Sequence, residues 1–191
     1  MITNSFEFKS TEIEATEKRL NDRLKDLLTQ LYLLEISKQT CIRLGNEAIR
    51  KVYNRMLSTI DTDISGQGFT TAPSIVFKKY LGRVKRDWSK IVSDAEVFVR
   101  TEEPDGKILH RLSLLAWFLT YSIFNHALVH VAKSELGARL EWVIMVNPPT
   151  PVCDVCLALA GFYLVNTHLP EMPQHYGCRC RWKLWIIIKD M

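Results

Sequence analysis

The chain has 191 residues, 47% of them apolar and 24% charged. That balance excludes a largely disordered or low-complexity protein and lets one long domain or two small ones bury a core. A formal net charge of +4 permits contact with nucleic acid without requiring it.

The opening stretch, MITNSFEFKSTEIEATEKRL, has no basic segment followed by an apolar one, so no secretory signal and a reducing cytosol are expected. Helix is predicted from Thr11, which with Glu14 fits a capping box. Glu12, Glu14 and Glu17 sit where the helix dipole favours acids. Leu20, Leu24, Leu27, Leu31 and Leu34 recur at spacings of four and three, which predicts an apolar seam along one face. Cys41 continues the seam and is expected to be a small buried apolar residue. The pattern runs on to Ile60, with a break expected at Gly45.

DTDISGQGFTTAP, residues 61–73, predicts a loop closed by a proline suited to a first helical turn. A second helical region is predicted over 73–100, with a restart at the SDAE of 93–96. TEEPDGK, residues 101–107, predicts a turn. A third helix is predicted over 108–136, capped by Gly137. Its apolar run LSLLAWFLTYSIF is shorter than the roughly twenty residues that span a bilayer. It is flanked by His110, Arg111, Asn125 and His126, so a buried core helix and no membrane role are expected.

After Gly137 the texture changes. RLEWVIMV (139–146), GFYLV (161–165) and RCRWKLWIII (179–188) are rich in β-branched and aromatic residues and predict strands. The last alternates Arg179, Arg181 and Lys183 with Cys180, Trp182 and Leu184, the pattern of a half-buried strand with one charged face. The predicted fold is α+β: a mainly helical N-terminal bundle over 1–136 and a small C-terminal β-rich, zinc-binding module over 137–191.

The zinc expectation comes from cysteine spacing. Four of the five cysteines fall in the last fifth of the chain as Cys153-x2-Cys156 and His175-x2-Cys178-x-Cys180. A Cys-x2-Cys pair brings two sulfurs onto one ion while the backbone turns around it, and a second pair completes a tetrahedron around Zn²⁺. In a reducing cytosol such pairs hold a metal more often than a disulfide. Cys153, Cys156 and Cys178 are the core of the predicted site, with the fourth ligand open between His175 and Cys180. The module is too small to bury a sizeable core, and ligation would supply folding free energy.

No enzyme is expected. His126 and His130 stand one helical turn apart, but Ala127 occupies the place where a zincin has its glutamate. Neither a G-x-S-x-G elbow nor a glycine-rich phosphate loop is present. KKYLGRVKRDWSK, residues 78–90, is the densest basic stretch, with Tyr80 and Trp88 interleaved. It reads first as a solvated helix face and second as a phosphate-contacting one, as does the Arg179, Arg181, Lys183 row.

CDVCLALAG, a proline-bearing loop and HYGCRC together resemble the C-terminal signature of the Mu-type head-morphogenesis family, the minor head proteins of tailed bacteriophages. NHALVHVAKSELGARLEW stands where that family has an Asn-containing helix and a strand. The resemblance covers about residues 115–185. Tyr176 stands in place of the family's proline, LTY (119–121) in place of Arg-Thr-Glu, and NPPTPV in place of the Asp and Arg before the first cysteine. The resemblance implies a virion protein of the phage head, assembled in the host cytoplasm within a larger oligomer. Its partners would be portal or inner capsid proteins, with non-specific contact to packaged DNA, and it would assist head assembly or DNA packaging. The alternative class is a zinc-ribbon nucleic-acid-binding or regulatory protein, using Lys78, Lys79, Arg83, Lys85 and Arg86.

Overall fold

The computed structural model describes residues 2–66, 77–96, 105–134, 142–146, 154–164, 169–170 and 178–188, and it is mainly helical. In chain order the elements are β1 (Ile2–Phe6), α1 (Ser10–Tyr32), α2 (Lys38–Gly66), α3 (Lys78–Glu96), α4 (Gly106–Ser134), β2 (Trp142–Val146), α5 (Asp154–Ala158), β3 (Gly161–Leu164) and β4 (Arg181–Ile188). They fall into two compact units. One comprises Thr11–Leu57 and Ser74–Thr120; the other comprises Met1–Ser10, Ser58–Pro73 and Tyr121–Met191.

In the first unit, Leu20, Leu24, Leu27 and Leu31 of α1 are buried as the seam predicts, but Leu34 is 70% exposed. The helix has already ended there. Leu34 takes a left-handed φ of 59°, and the Glu35 N–H donates back to the Gln30 carbonyl at 2.9 Å, a Schellman-type closure. Ser37 then caps α2: its Oγ accepts from the Thr40 N–H at 3.2 Å, and its carbonyl accepts from the Cys41 N–H. The expected break at Gly45 therefore falls eight to twelve residues too late. Local capping chemistry, rather than the glycine, divides the seam. Cys41 is buried as expected, on α2, with its thiol 3.5 Å from the Leu27 carbonyl.

α2 runs through Gly45 and continues to Gly66, so the first part of the predicted 61–73 loop is helical. Ile49, Tyr53, Met56, Ile60 and Ile64 are all buried. Their helical spacing carries the element past the polar DTD; residues 67–73 lie outside the described residues. α3 passes through 93–96 without a restart, because the Ser93 hydroxyl donates to the Ser89 carbonyl within the helix at 2.9 Å. Its buried face is Val84, Trp88, Ile91, Val92 and Ala95. Trp88 therefore belongs to the core, not to the basic surface.

Asp105 starts α4, accepting from the Lys107 N–H on its carboxylate at 3.3 Å and from the Leu109 N–H on its carbonyl. The stretch Gly106–His130 is long and apolar enough to cross a membrane by length and composition, and its most apolar eighteen-residue window, with mean hydropathy 1.4, is 72% buried inside the structure. The predicted end at Gly137 lies outside the described residues.

The second unit carries a four-stranded sheet in the order β1-β4-β2-β3, antiparallel throughout. β4 is long enough to hold two neighbours: its outer half pairs with β1, Phe6 opposite Leu184, and its inner half with β2, Val146 opposite Arg181. β2 pairs in turn with β3, Met145 opposite Gly161. β1 has no counterpart in the sequence-based expectation. ITNSF is short and half polar, so only its pairing with β4 defines it as a strand.

Candidate metal centre

Cys156 lies on α5, and Cys178 and Cys180 lie on the segment leading into β4. All three thiols are buried, and their sulfurs lie within 4.8 Å of one another. The Cys156 and Cys178 sulfurs are 3.5 Å apart, and neither residue is in a disulfide. An S–S bond would need about 2.05 Å. Sulfurs at tetrahedral corners around zinc, with Zn–S about 2.3 Å, stand about 3.8 Å apart. The observed spacing thus fits a shared cation. Among the described residues this is the single group of three or more candidate ligands. Cys153 and His175 lie outside the described residues.

Local sequence explains the convergence. Cys178 and Cys180 are separated by one residue, and in an extended segment alternate side chains face the same way. Both are buried while the intervening Arg179 is only half-buried. Trp182 continues the buried row, and Tyr163 of β3 meets its ring edge-on at 5.5 Å and 87°. The Tyr163 hydroxyl donates to the Leu159 carbonyl at 2.6 Å, tying β3 to the turn that follows α5.

Asn125 is the positioning residue that the spacing rules missed. It is buried on α4, donating from Nδ2 to the Cys180 carbonyl at 3.3 Å. Its Oδ1 accepts from the Trp182 N–H at 2.9 Å. One side-chain amide thereby satisfies both main-chain groups flanking Arg181 and fixes the direction in which Cys180 leaves the backbone. The sequence signal was a polar residue at the end of the most apolar run of the chain.

The charged face of β4 is occupied within its own unit. Arg181 pairs with Glu7 at 3.2 Å and Lys183 with the same carboxylate at 3.6 Å. Arg179 donates to the Tyr121 hydroxyl at 3.2 Å and lies over its ring. His126 and His130 are half-buried on α4 and do not belong to the thiol cluster. Comparisons with protein-family models, curated proteins and solved structures found no match for this chain.

Proposed function

We propose that the chain is a structural, non-enzymatic head protein of a tailed bacteriophage, whose C-terminal part is a small β-rich module clamped by zinc. The observation that carries the reading is the buried convergence of Cys156 with Cys178 and Cys180. It joins the two halves of the cysteine signature on which the family resemblance rests. With Cys153 they would make a four-sulfur set, the composition of a closed structural site that leaves no position for a reacting water. Zinc would supply cross-linking of α5 to the approach to β4, with thiolates as its ligands. The hydrogen bonds of Asn125 to the β4 approach agree with the Asn-containing helix of the same resemblance. The partners in this reading are portal or inner capsid oligomers, and its site of action is the phage head.

The test is native mass spectrometry of untagged full-length protein purified without chelator, followed by co-sedimentation with portal and capsid oligomers. The expected result is one zinc per chain, lost in Cys178→Ser, and firm association with the oligomers. Protein without metal would remove the clamp. Metal-loaded protein that ignores both oligomers would remove the head assignment.

A further inference from the structure

The charges of α3 run against its own dipole. Its first turn has no acid and its last turn no base; instead Lys78 and Lys79 open the helix and Asp94 and Glu96 close it. Such placement disfavours the helix. The acids at the far end are accounted for, since Asp94 pairs with Arg111 and Glu96 with Lys38. The bases are not. Lys78, Lys79, Lys85, Arg86 and Lys90 have no ion-pair partner among the described residues. Arg83 lies over the Phe118 ring at 4.2 Å and reaches Asp87 at 3.8 Å.

Lys79, Arg83, Arg86 and Lys90 are all exposed. Their spacings of four, three and four set them in one row opposite the buried Val84, Trp88 and Ala95. At 1.5 Å per residue the row is about 16 Å long. Gly82 lies beside it. Glycine inside a helix is disfavoured against alanine, and packing does not require it here. A Cβ added at Gly82 would meet only Arg86 Nη1, at an ordinary 3.6 Å. A helix that keeps a glycine without a packing need, under an arginine and beside three more bases, leaves its backbone bare for close approach by a ligand.

We propose that this face of α3 is a phosphate-contacting surface for duplex nucleic acid, with Gly82 marking where a phosphate comes closest to the helix. A duplex is favoured because the face lacks what other polyanions would use. None of the large exposed apolar side chains of the described residues lies on α3, so nothing would insert into a membrane. Trp88 is buried and Tyr80 packs edge-on to Phe118, so no aromatic platform is presented to single-stranded bases. What remains is a row of point charges, which reads backbone and not sequence. The proposal stands independently of the phage-head reading.

The test is fluorescence anisotropy of a short labelled DNA duplex titrated with the full chain at several salt concentrations. Four phosphate contacts predict a log–log salt slope of about −3 to −4, or about 100-fold weaker binding between 50 and 200 mM salt. The triple variant Lys79→Glu, Arg86→Glu, Lys90→Glu should abolish binding with an unchanged circular-dichroism spectrum. Gly82→Ala should melt higher yet bind several-fold more weakly. A matched reversal on α1, at Lys18, Arg19 and Lys25, should bind within a few-fold of the native chain. The proposal is overturned if the α3 triple variant binds normally or the α1 reversal costs as much. Binding to anionic phosphatidylglycerol vesicles in place of the duplex overturns it too. Undiminished binding by Gly82→Ala removes the role of that glycine.

Discussion

Gly45 and Trp88 share one space: a Cβ placed on Gly45 would stand 2.0 Å from the Trp88 indole nitrogen. The same nitrogen donates to the Ile42 carbonyl at 3.3 Å, one turn earlier on α2. The glycine is thus a notch that lets α3 press its largest side chain against the α2 backbone. Gly45→Ala would gain about 1 kcal/mol in helix propensity but would displace a fully buried indole. Overpacking of that kind costs about 1–3 kcal/mol and sometimes more. We expect a net loss of about 2 kcal/mol in urea unfolding. The loss should shrink sharply in a Trp88→Leu background, where the clash is gone, and a double-mutant cycle reads that coupling directly. Additive effects would refute the shared-space account.

Leu34 offers a prediction of the opposite sign. A left-handed backbone costs an L-residue about 1–2 kcal/mol, and a side chain this exposed has little packing to lose. Leu34→Gly should therefore stabilise the chain by about 0.5–1 kcal/mol, after allowing for the greater freedom of glycine in the unfolded state. The midpoint of urea denaturation should rise with an unchanged slope. A fall would mean that Leu34 makes a contact the folded chain needs.

These two positions also mark what the sequence could and could not convey. The apolar spacing of Leu20 to Leu31 announced α1 and its buried face, because period alone decides which side of a helix is wet. The same spacing could not place the corner, since Leu34 continues the seam arithmetically while the Ser37 cap and the Glu35 hydrogen bond end the helix. Gly45 looked like a breaker because glycine is read by its local propensity, whereas its reason lies in Trp88, distant in sequence. The cysteine spacing foretold that Cys156 and Cys178 would meet. It left Cys180 against His175 open, because a one-residue gap and a two-residue gap are both sound ligand geometries. Asn125 was visible as a polar residue in an apolar run, but its partners are main-chain groups, and no residue type announces those.

Cys41 gives the chain an alkaline limb. Burial pushes its thiol from the ordinary 9.0 up to about 12, so the native state keeps a proton that the unfolded chain releases. Between those two values the unfolded state binds fewer protons, and stability must fall as pH rises, by up to about 1.4 kcal/mol per pH unit. Below pH 9 the contribution is fully present. Burial also raises the Tyr32 and Tyr53 hydroxyls above their ordinary 10.0, adding to the same limb. Cys41→Ala should be less stable at neutral pH, from the lost packing, yet lose less on going from pH 9 to pH 11. Equal slopes in the two proteins, measured by urea unfolding across that range, would show that Cys41 ionises as freely in the native state as in the unfolded one.

On the zinc-clamp proposal, Asn125 separates holding the fold from holding the metal. Asn125→Ala leaves the Cys180 carbonyl and the Trp182 N–H buried without their partner, and each such group costs about 1–3 kcal/mol. Melting should therefore fall markedly. The amide also sets the main chain from which Cys180 projects, and loss of groups that orient ligands typically costs 10–100-fold in metal affinity. Zinc affinity, measured by competition with a chromophoric chelator at a temperature where the variant is folded, should drop by at least about tenfold. Asn125→Asp should fare no better, because a carboxylate can accept from Trp182 but cannot donate to the Cys180 carbonyl, and it is charged in a buried place. If the variants melt lower while zinc affinity stays at the native value, Asn125 braces α4 against β4 and takes no part in shaping the thiol site. If affinity falls with stability, the buried amide on the core helix is part of what makes three cysteines into a metal site.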